Sequence, residues 1–136
     1  MSNITQVVND DKSMTSLKKG VVASGLDKIL SGTGPYTVFA PSDVAFTKME
    51  KGSFETLLKP ENKTKLEDVL NYHIVPGKIN LKDFKDGEKL KAINGKELQV
   101  QVKEGKVTIE GAKIQKSDVQ TSNGVIHFLD TVMIKN

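Results

Sequence analysis

The sequence predicts an α+β fold, and three observations carry that reading. Apolar residues recur at helical spacing through the first half of the chain, and from Lys78 onward the period falls to two. One early β-branched and aromatic run, Tyr36 to Phe39, must join the later strands. Helices gathered ahead of strands argue for segregated layers rather than alternating βαβ units.

Taken in order, Ile4, Val7 and Val8 fit one face of a short helix. Ser13 offers an N-cap for a second helix carrying Met14, Leu17, Val21 and Val22, which Gly25 can close. Leu26, Ile29 and Leu30 make one more apolar turn before Ser31-Gly32-Thr33-Gly34-Pro35 breaks it. After the Tyr36–Phe39 strand, Pro41 ends the run, and Ser42 or Asp43 can cap a helix through Val44-Ala45-Phe46. Ser53 is placed to cap Phe54 to Leu58. Pro60-Glu61 starts a longer helix with Leu66, Val69, Leu70 and His73 along one side, and Pro76-Gly77 stops it.

In the second half, Leu90 and Ala92 lead through Asn94-Gly95 into Leu98, Val100 and Val102, the pattern of a hairpin. Glu104-Gly105 turns into Val107 and Ile109, Ile114 begins another extended piece, and Asn123-Gly124 leads to Val125, Ile126 and Phe128. A last apolar run spans Val132 to Ile134. Each of the three Xaa-Gly pairs is expected in a turn that needs positive φ. No internal repeat, low-complexity tract or linker interrupts the 136 residues, so a single domain over 1–136 is expected.

Composition narrows the function. The chain has no cysteine, which excludes thiolate catalysis and cysteine-ligated metals. No run of about 18 apolar residues is present, so no transmembrane segment is expected. The stretch Met1 to Gln6 lacks a basic n-region and an apolar h-region, so no signal peptide is expected in this chain. All 20 basic residues are lysine, interspersed with 17 acids. Arginine forks, which grip phosphate and guanine bidentately, are missing, and a nucleic-acid partner is not expected. The net charge of +3 favours solubility and mild attraction to anionic polymers.

No catalytic or metal constellation emerges. Ser42, His73, His127 and Asp43 supply the residue types of a hydrolytic triad, but no Gly-x-Ser-x-Gly elbow surrounds Ser42. The two histidines sit in no ligand cluster of metal-binding spacing, so neither metal nor cofactor is expected. Asn3-Ile4-Thr5 and Asn62-Lys63-Thr64 fit the glycosylation pattern at a frequency chance also supplies.

Three stretches remain: Tyr36-Thr37-Val38-Phe39-Ala40-Pro41-Ser42-Asp43-Val44-Ala45-Phe46, Asn71-Tyr72-His73-Ile74-Val75-Pro76-Gly77, and Asn123-Gly124-Val125-Ile126-His127-Phe128-Leu129-Asp130-Thr131-Val132-Met133-Ile134. In this order they resemble the first motif, the Tyr-His motif and the second motif of the fasciclin (FAS1) family. The resemblance implies a FAS1-like β-sandwich or wedge with the N-terminal helices packed against it. It also implies a non-enzymatic extracellular or cell-surface adhesion module, binding a protein or polysaccharide partner. For animal members it implies integrin adhesion through Tyr72-His73 and through an Asp-Ile pair whose place is taken here by Asp118-Val119. Valine replaces isoleucine, and the acidic-proline lead-in is missing. A small apolar ligand carrier and a hydrolase are the alternatives: a deep apolar pocket would favour the first, a clustered His-Ser-Asp site the second.

The same resemblance brings the first and Tyr-His motifs together in space. Phe39 is expected to be buried against Val125, Phe128 or Val132, and His73 to be buried, either neutral or paired with Asp43.

Overall fold

In the computed structural model of the chain, residues 3–32, 34–48 and 52–132 are described. Helices α1 (Ile4–Asp10), α2 (Thr15–Ser24) and α3 (Asp27–Leu30) precede β1 (Tyr36–Pro41). Then come α4 (Asp43–Thr47), α5 (Ser53–Leu57), a 3-10 turn at Pro60–Asn62 and α6 (Lys63–Asn71). The remainder is β2 (Ile74–Pro76), a 3-10 turn at Leu81–Asp83, β3 (Lys89–Lys91), β4 (Glu97–Lys103), β5 (Lys106–Ile109), β6 (Ala112–Thr121) and β7 (Gly124–Leu129).

One sheet of seven strands runs β2-β1-β7-β6-β5-β4-β3. The early strand β1 lies parallel to β7 and antiparallel to β2, pairing Phe39 with His127 and Val38 with Ile74. The sheet curls so that its two ends approach: Ile93, in the β3–β4 turn, donates its N–H to the Ile74 carbonyl of β2 at 2.9 Å. The result is a barrel-like wedge with helices on one side, an α+β architecture as the sequence predicts.

Two cores follow from the alternation of side chains along the strands. Val38, Ala40, Ile126 and Phe128 face the helices and meet Leu17, Val21, Leu66 and Leu70. Phe39, Val75, Leu98, Val100, Ile109 and Leu129 fill the barrel interior. Phe39 is fully buried, as expected, but against the rings of Phe84 and His127, each with its centroid 5.9 Å away. Phe128, one residue out of phase with Phe39's strand partner His127, belongs to the other core, as does Val132 beyond the end of β7. Of the three expected neighbours, only Val125 shares its face of the sheet.

Several ends differ from the sequence reading. Gly25 closes α2 in the left-handed region at φ 80°, as predicted, yet Ser13 does not cap its start. Gly52, not Ser53, holds the cap position of α5. The helix carrying Leu66 and Leu70 ends at Asn71, and Ile74–Pro76 continues as strand β2 instead of a last helical turn. Gly95 (φ 86°) and the pair Glu104 and Gly105 (φ 52° and 77°) sit in turns as predicted. Glu110 and Gly111 (φ 50° and 82°) form a further two-residue hairpin that starts β6 two residues earlier than Ile114. Val132 is buried outside any strand, and Met133 and Ile134 lie outside the described residues.

Candidate functional site

Tyr72 and His73 leave the end of α6 in opposite directions, their rings 81° apart. Tyr72 enters the barrel interior. Its hydroxyl proton goes to Glu110 Oε1 at 2.6 Å, with the Glu97 carbonyl at 3.1 Å as the second acceptor. Burial, reinforced by the neighbouring carboxylate, holds its phenol well above the ordinary range, so the hydroxyl stays a donor. His73 enters the helix-facing core, 2 % exposed, and its Nδ1–H donates to the Val69 carbonyl at 2.8 Å. Burial among Val8, Leu17, Val38 and Leu70 pushes its imidazole down to about 4, so the ring is neutral at pH 7. The apolar void beside it holds only about 10 Å³, at the lower limit for one water.

The first motif meets this pair through the backbone: the Phe39 N–H donates to the His73 carbonyl at 2.8 Å. Asp43, however, does not approach the imidazole. Its carboxylate accepts from Thr15 Oγ1 at 2.7 Å and from the Ser16 N–H at 2.8 Å, so it caps α2 from a distant part of the chain. Burial pushes the Asp43 carboxyl up, but these hydrogen bonds outweigh it and the net shift is downward. Ser42 occupies the cap position of α4 without a side-chain hydrogen bond, and its buried Oγ has no partner among the described residues. The expected caps are thereby reassigned: Asp43 serves α2, where Ser13 was expected, and Ser42 serves neither helix by its hydroxyl. Pro41 is the last residue of β1 and pairs with Leu129.

The second motif is held by two polar side chains. Asn123 is buried, accepting from the Ile4 N–H at 3.0 Å and donating from Nδ2 to the carbonyls of Leu30 (2.6 Å) and Gly32 (2.9 Å). It staples α1 and the end of α3 to the sheet, a role its Asn-Gly turn context does not reveal. A Cβ on Gly124 would collide with the Tyr36 backbone, so the close pairing of β1 and β7 requires glycine there. His127 is fully buried. Its Nε2–H donates to the Ile79 carbonyl at 2.7 Å, and its Nδ1 accepts from the Asp118 N–H at 3.2 Å. Both ring nitrogens are therefore used by the backbone, and only the neutral Nε2–H tautomer satisfies both.

Asp118 and Val119 sit where β6 bulges against β7. The register slips between Ile114 and Lys116 and again between Lys116 and Val119. Asp118 takes φ 57°, unusual for a side-chain-bearing residue, and stands exposed. Its Oδ1 accepts from the Leu81 N–H at 2.7 Å, tying the 77–83 segment to the sheet. Val119 is half-buried against the helix-facing core. Of the sequence-selected residues, Tyr72, His73, Phe39 and His127 cluster around β1, Asp118 joins them through His127, and Asp43 stands apart at α2. Among the described residues no group of three His, Cys, Asp or Glu side chains could hold a metal ion.

Comparisons place this geometry. The model of the Fasciclin domain family matches residues 12–135. Protein sll1483 of Synechocystis sp. is 42% identical over 96% of this chain and 72% of its own length. Transforming growth factor-beta-induced protein ig-h3 of Sus scrofa is 36% identical over 98% of this chain, which spans 19% of that protein. In structure, a FAS1 domain pair from the insect cell adhesion molecule Fasciclin I superposes with a TM-score of 0.87 at 18% identity, covering 98% of this chain and 51% of that one. The chain belongs to the fasciclin domain family.

Proposed function

We propose that this chain is a non-enzymatic adhesion or interaction module that acts at a cell surface or in the extracellular space and binds a protein or polysaccharide partner. One observation carries the reading. The polar side chains that the motifs bring inward, Tyr72, His127 and Asn123, are taken up by hydrogen bonds that hold the fold together. The hydroxyl of Ser42 has no base hydrogen-bonded to it. Recognition then falls to the outside of the wedge, where Asp118 is exposed on a bulge positioned by His127. In this reading Tyr72 and His73 position the sheet rather than touch the partner. The adhesion role named for Fasciclin I supports it.

A second reading has one specific observation behind it. An open, mainly apolar groove of about 570 Å³ lies between α2 and Leu58, floored by Val22 and Ala23 and flanked by Lys18 and Lys19. Its size suits a small apolar ligand.

An adhesion assay separates the readings. Purified protein immobilised on beads should retain cell-envelope or matrix material, and Asp118→Asn, which removes the charge but keeps an acceptor for the Leu81 N–H and tolerates φ 57°, should weaken retention without lowering thermal stability by more than a few degrees. Retention that survives Asp118→Asn but is abolished by Val22→Glu would move the functional surface to the groove. Turnover of ester, peptide or glycoside substrates that disappears in Ser42→Ala would replace both readings with an enzyme.

A further inference from the structure

The chain contains two Asn-Gly pairs, Asn94-Gly95 and Asn123-Gly124, and the fold treats them differently. An asparagine followed by glycine is open to attack on its own side chain, because glycine sets no Cβ beside the attacking backbone nitrogen. We infer that Asn94 is a site of spontaneous covalent modification, which closes with Gly95 to a succinimide, opens to aspartyl and isoaspartyl forms and unclasps the seam of the barrel. Asn123, with the same neighbour, is locked against this reaction. The inference stands apart from the adhesion reading and needs no partner.

The reaction balances with water as the only co-reactant. The Gly95 nitrogen gives its proton to solvent base and attacks Cγ of Asn94; the Cγ–Nδ2 bond breaks, and Nδ2 leaves as ammonia. Water then opens the imide at either carbonyl. Cleavage of the bond from nitrogen to Cγ leaves an ordinary aspartate. Cleavage of the bond to the α-carbonyl leaves an isoaspartate, whose main chain runs through Cβ and Cγ.

The β3–β4 turn supplies what this needs. The Lys96 N–H donates to Asn94 Oδ1 at 3.0 Å, closing a ring of atoms that includes the Gly95 nitrogen. That donor stays on the oxygen as it takes up negative charge during the attack. Gly95 is exposed, and a Cβ on it would meet nothing within 4 Å, so water and base reach its nitrogen. Its N–H has only to leave the Ala92 carbonyl, a turn bond of 2.9 Å at the surface. The Asn94 amide nitrogen is held by two longer contacts to half-exposed Asp68, 3.1 Å to the carbonyl and 3.3 Å to the carboxylate. At Asn123 these conditions are reversed. The side chain is buried, with Nδ2 on the carbonyls of Leu30 and Gly32 and Oδ1 on the Ile4 N–H, and Gly124 is pressed against the Tyr36 backbone. Turning Cγ onto the Gly124 nitrogen would break the bonds that staple α1 and α3 to the sheet.

Asn94 stands where the two ends of the sheet are clasped. Its neighbour Ile93 donates to the Ile74 carbonyl of β2, while Asn94 Nδ2 and Lys96 Nζ, the latter at 2.8 Å, both reach Asp68 of α6. Deamidation puts a carboxylate in the place of the amide that donates to Asp68. Two attractive contacts become a repulsion between carboxylates, with the Lys96 ammonium left between them. The isoaspartyl form also adds a backbone atom between Ile93 and Gly95, so the turn no longer holds Ile93 against β2. Slack there reaches the Tyr-His motif, because Tyr72 follows α6 directly and its hydroxyl is hydrogen-bonded to the Glu97 carbonyl of β4.

Ageing the whole folded chain at mildly alkaline pH in heavy-oxygen water, followed by proteolysis and mass spectrometry, tests this. The peptide carrying Asn94 should gain the mass of an amide-to-acid exchange with one solvent oxygen, and isoaspartyl methyltransferase should label it. The peptide carrying Asn123 should change at least about tenfold more slowly, because buried hydrogen bonds must break first. In denaturant the two rates should converge. Asn94→Gln, whose longer side chain closes the ring poorly, should gain no mass at that position over the same interval. Hydrogen exchange at the Ile93 amide should quicken by about tenfold or more in the aged chain. Asn94→Asp should reproduce part of that change without ageing, and adding Asp68→Asn to it, which separates the two charges, should slow the exchange again. Equal rates at the two pairs in the folded chain, or an Asn94 peptide that stays unmodified while the denatured chain reacts, would overturn the site. Modification at Asn94 that leaves the Ile93 amide exchanging at the parent rate would overturn the unclasping.

Discussion

The two cores on either side of the sheet each bury one histidine, and the two histidines do different things. In the helix-facing core, His73 lies among Val8, Leu17, Val38 and Leu70, and its Nδ1–H goes to the Val69 carbonyl in the last turn of α6. In the barrel interior, His127 stacks on Phe39 and bridges two distant backbone groups, the Ile79 carbonyl and the Asp118 N–H. The first is held in its neutral form by burial. The second acts as a crosslink that holds the 77–83 segment and the Asp118 bulge against β7. A buried histidine is thus no single kind of feature: its role depends on whether its partners are local or far away in sequence.

The largest test of this comparison is Phe39, which packs on His127 in the barrel interior. Phe39→Ala should cost about 3–5 kcal/mol in denaturant unfolding, the transfer loss plus a cavity that the barrel closes poorly. A cost under about 1 kcal/mol would mean that the barrel interior is not a close-packed core.

Acid is the next probe, because burial lowers both imidazoles, His73 to about 4, from an ordinary value of 6.5. The sign follows from proton uptake: between about 6.5 and 4 the unfolded chain binds a proton at His73 that the folded chain refuses. Stability should therefore fall as pH drops below about 6.5 and level off near 4, by on the order of 3 kcal/mol for His73. His127 should contribute less. Burial lowers it too, but the Ile79 carbonyl and the Asp118 carboxylate favour its charged form. Asp43, Asp68 and Asp130 are all held below 3.8, so their contribution is present above that value and fades only at still lower pH. Unfolding midpoints at pH 7 and pH 5 for the parent and for His73→Gln measure the difference. A variant with the parent's full pH dependence, or an imidazole of His73 that titrates above about 7 by NMR, would remove the neutral buried state.

The parts that were legible in the sequence are the local ones. Helical spacing placed α1, α2 and α6. Gly25 marked the end of α2, and Gly95 and Glu104-Gly105 marked turns, because glycine or a left-handed pair is required at the positions themselves. What sequence reading missed is non-local. Of the neighbours expected for Phe39, Val125 shares its face but Phe128 is one residue out of phase, since the parallel pairing of β1 with β7 sets which face it takes and no short-range pattern encodes that register. Strand β2 is three residues long and follows α6 after only Tyr72 and His73, too short for a period to show. The Glu110-Gly111 hairpin was overlooked although it carries the same left-handed pair as Glu104-Gly105. In the site, Asn123 read as a turn residue while its side chain staples α1 and α3, and Asp43 read as a cap for the helix that follows it. A capping carboxylate in the sequence advertises that some helix start is near, not which one.

That last point yields the smallest and sharpest test, between two adjacent residues of the first motif at the junction of the two cores. Asp43 gives both carboxylate oxygens to the start of α2, so Asp43→Ala should lose a cap and a cross-link between α2 and α4, about 1–2 kcal/mol. The loss should shrink as pH falls below the ordinary carboxylate range, because the protonated side chain is a poorer acceptor and its lowered folded value marks the charged form as the bonded one. Ser42 occupies the position that sequence rules favour for a cap, yet its buried Oγ makes no hydrogen bond among the described residues. Removing an unpaired buried hydroxyl deletes no bond and leaves little volume, so Ser42→Ala should fall within about 0.5 kcal/mol of the parent, on either side. The order of the two effects is the discriminating result. If Ser42→Ala proved the costlier substitution, the hydroxyl would be capping α4 after all, and Asp43 would have lost its place as the link between α2 and α4.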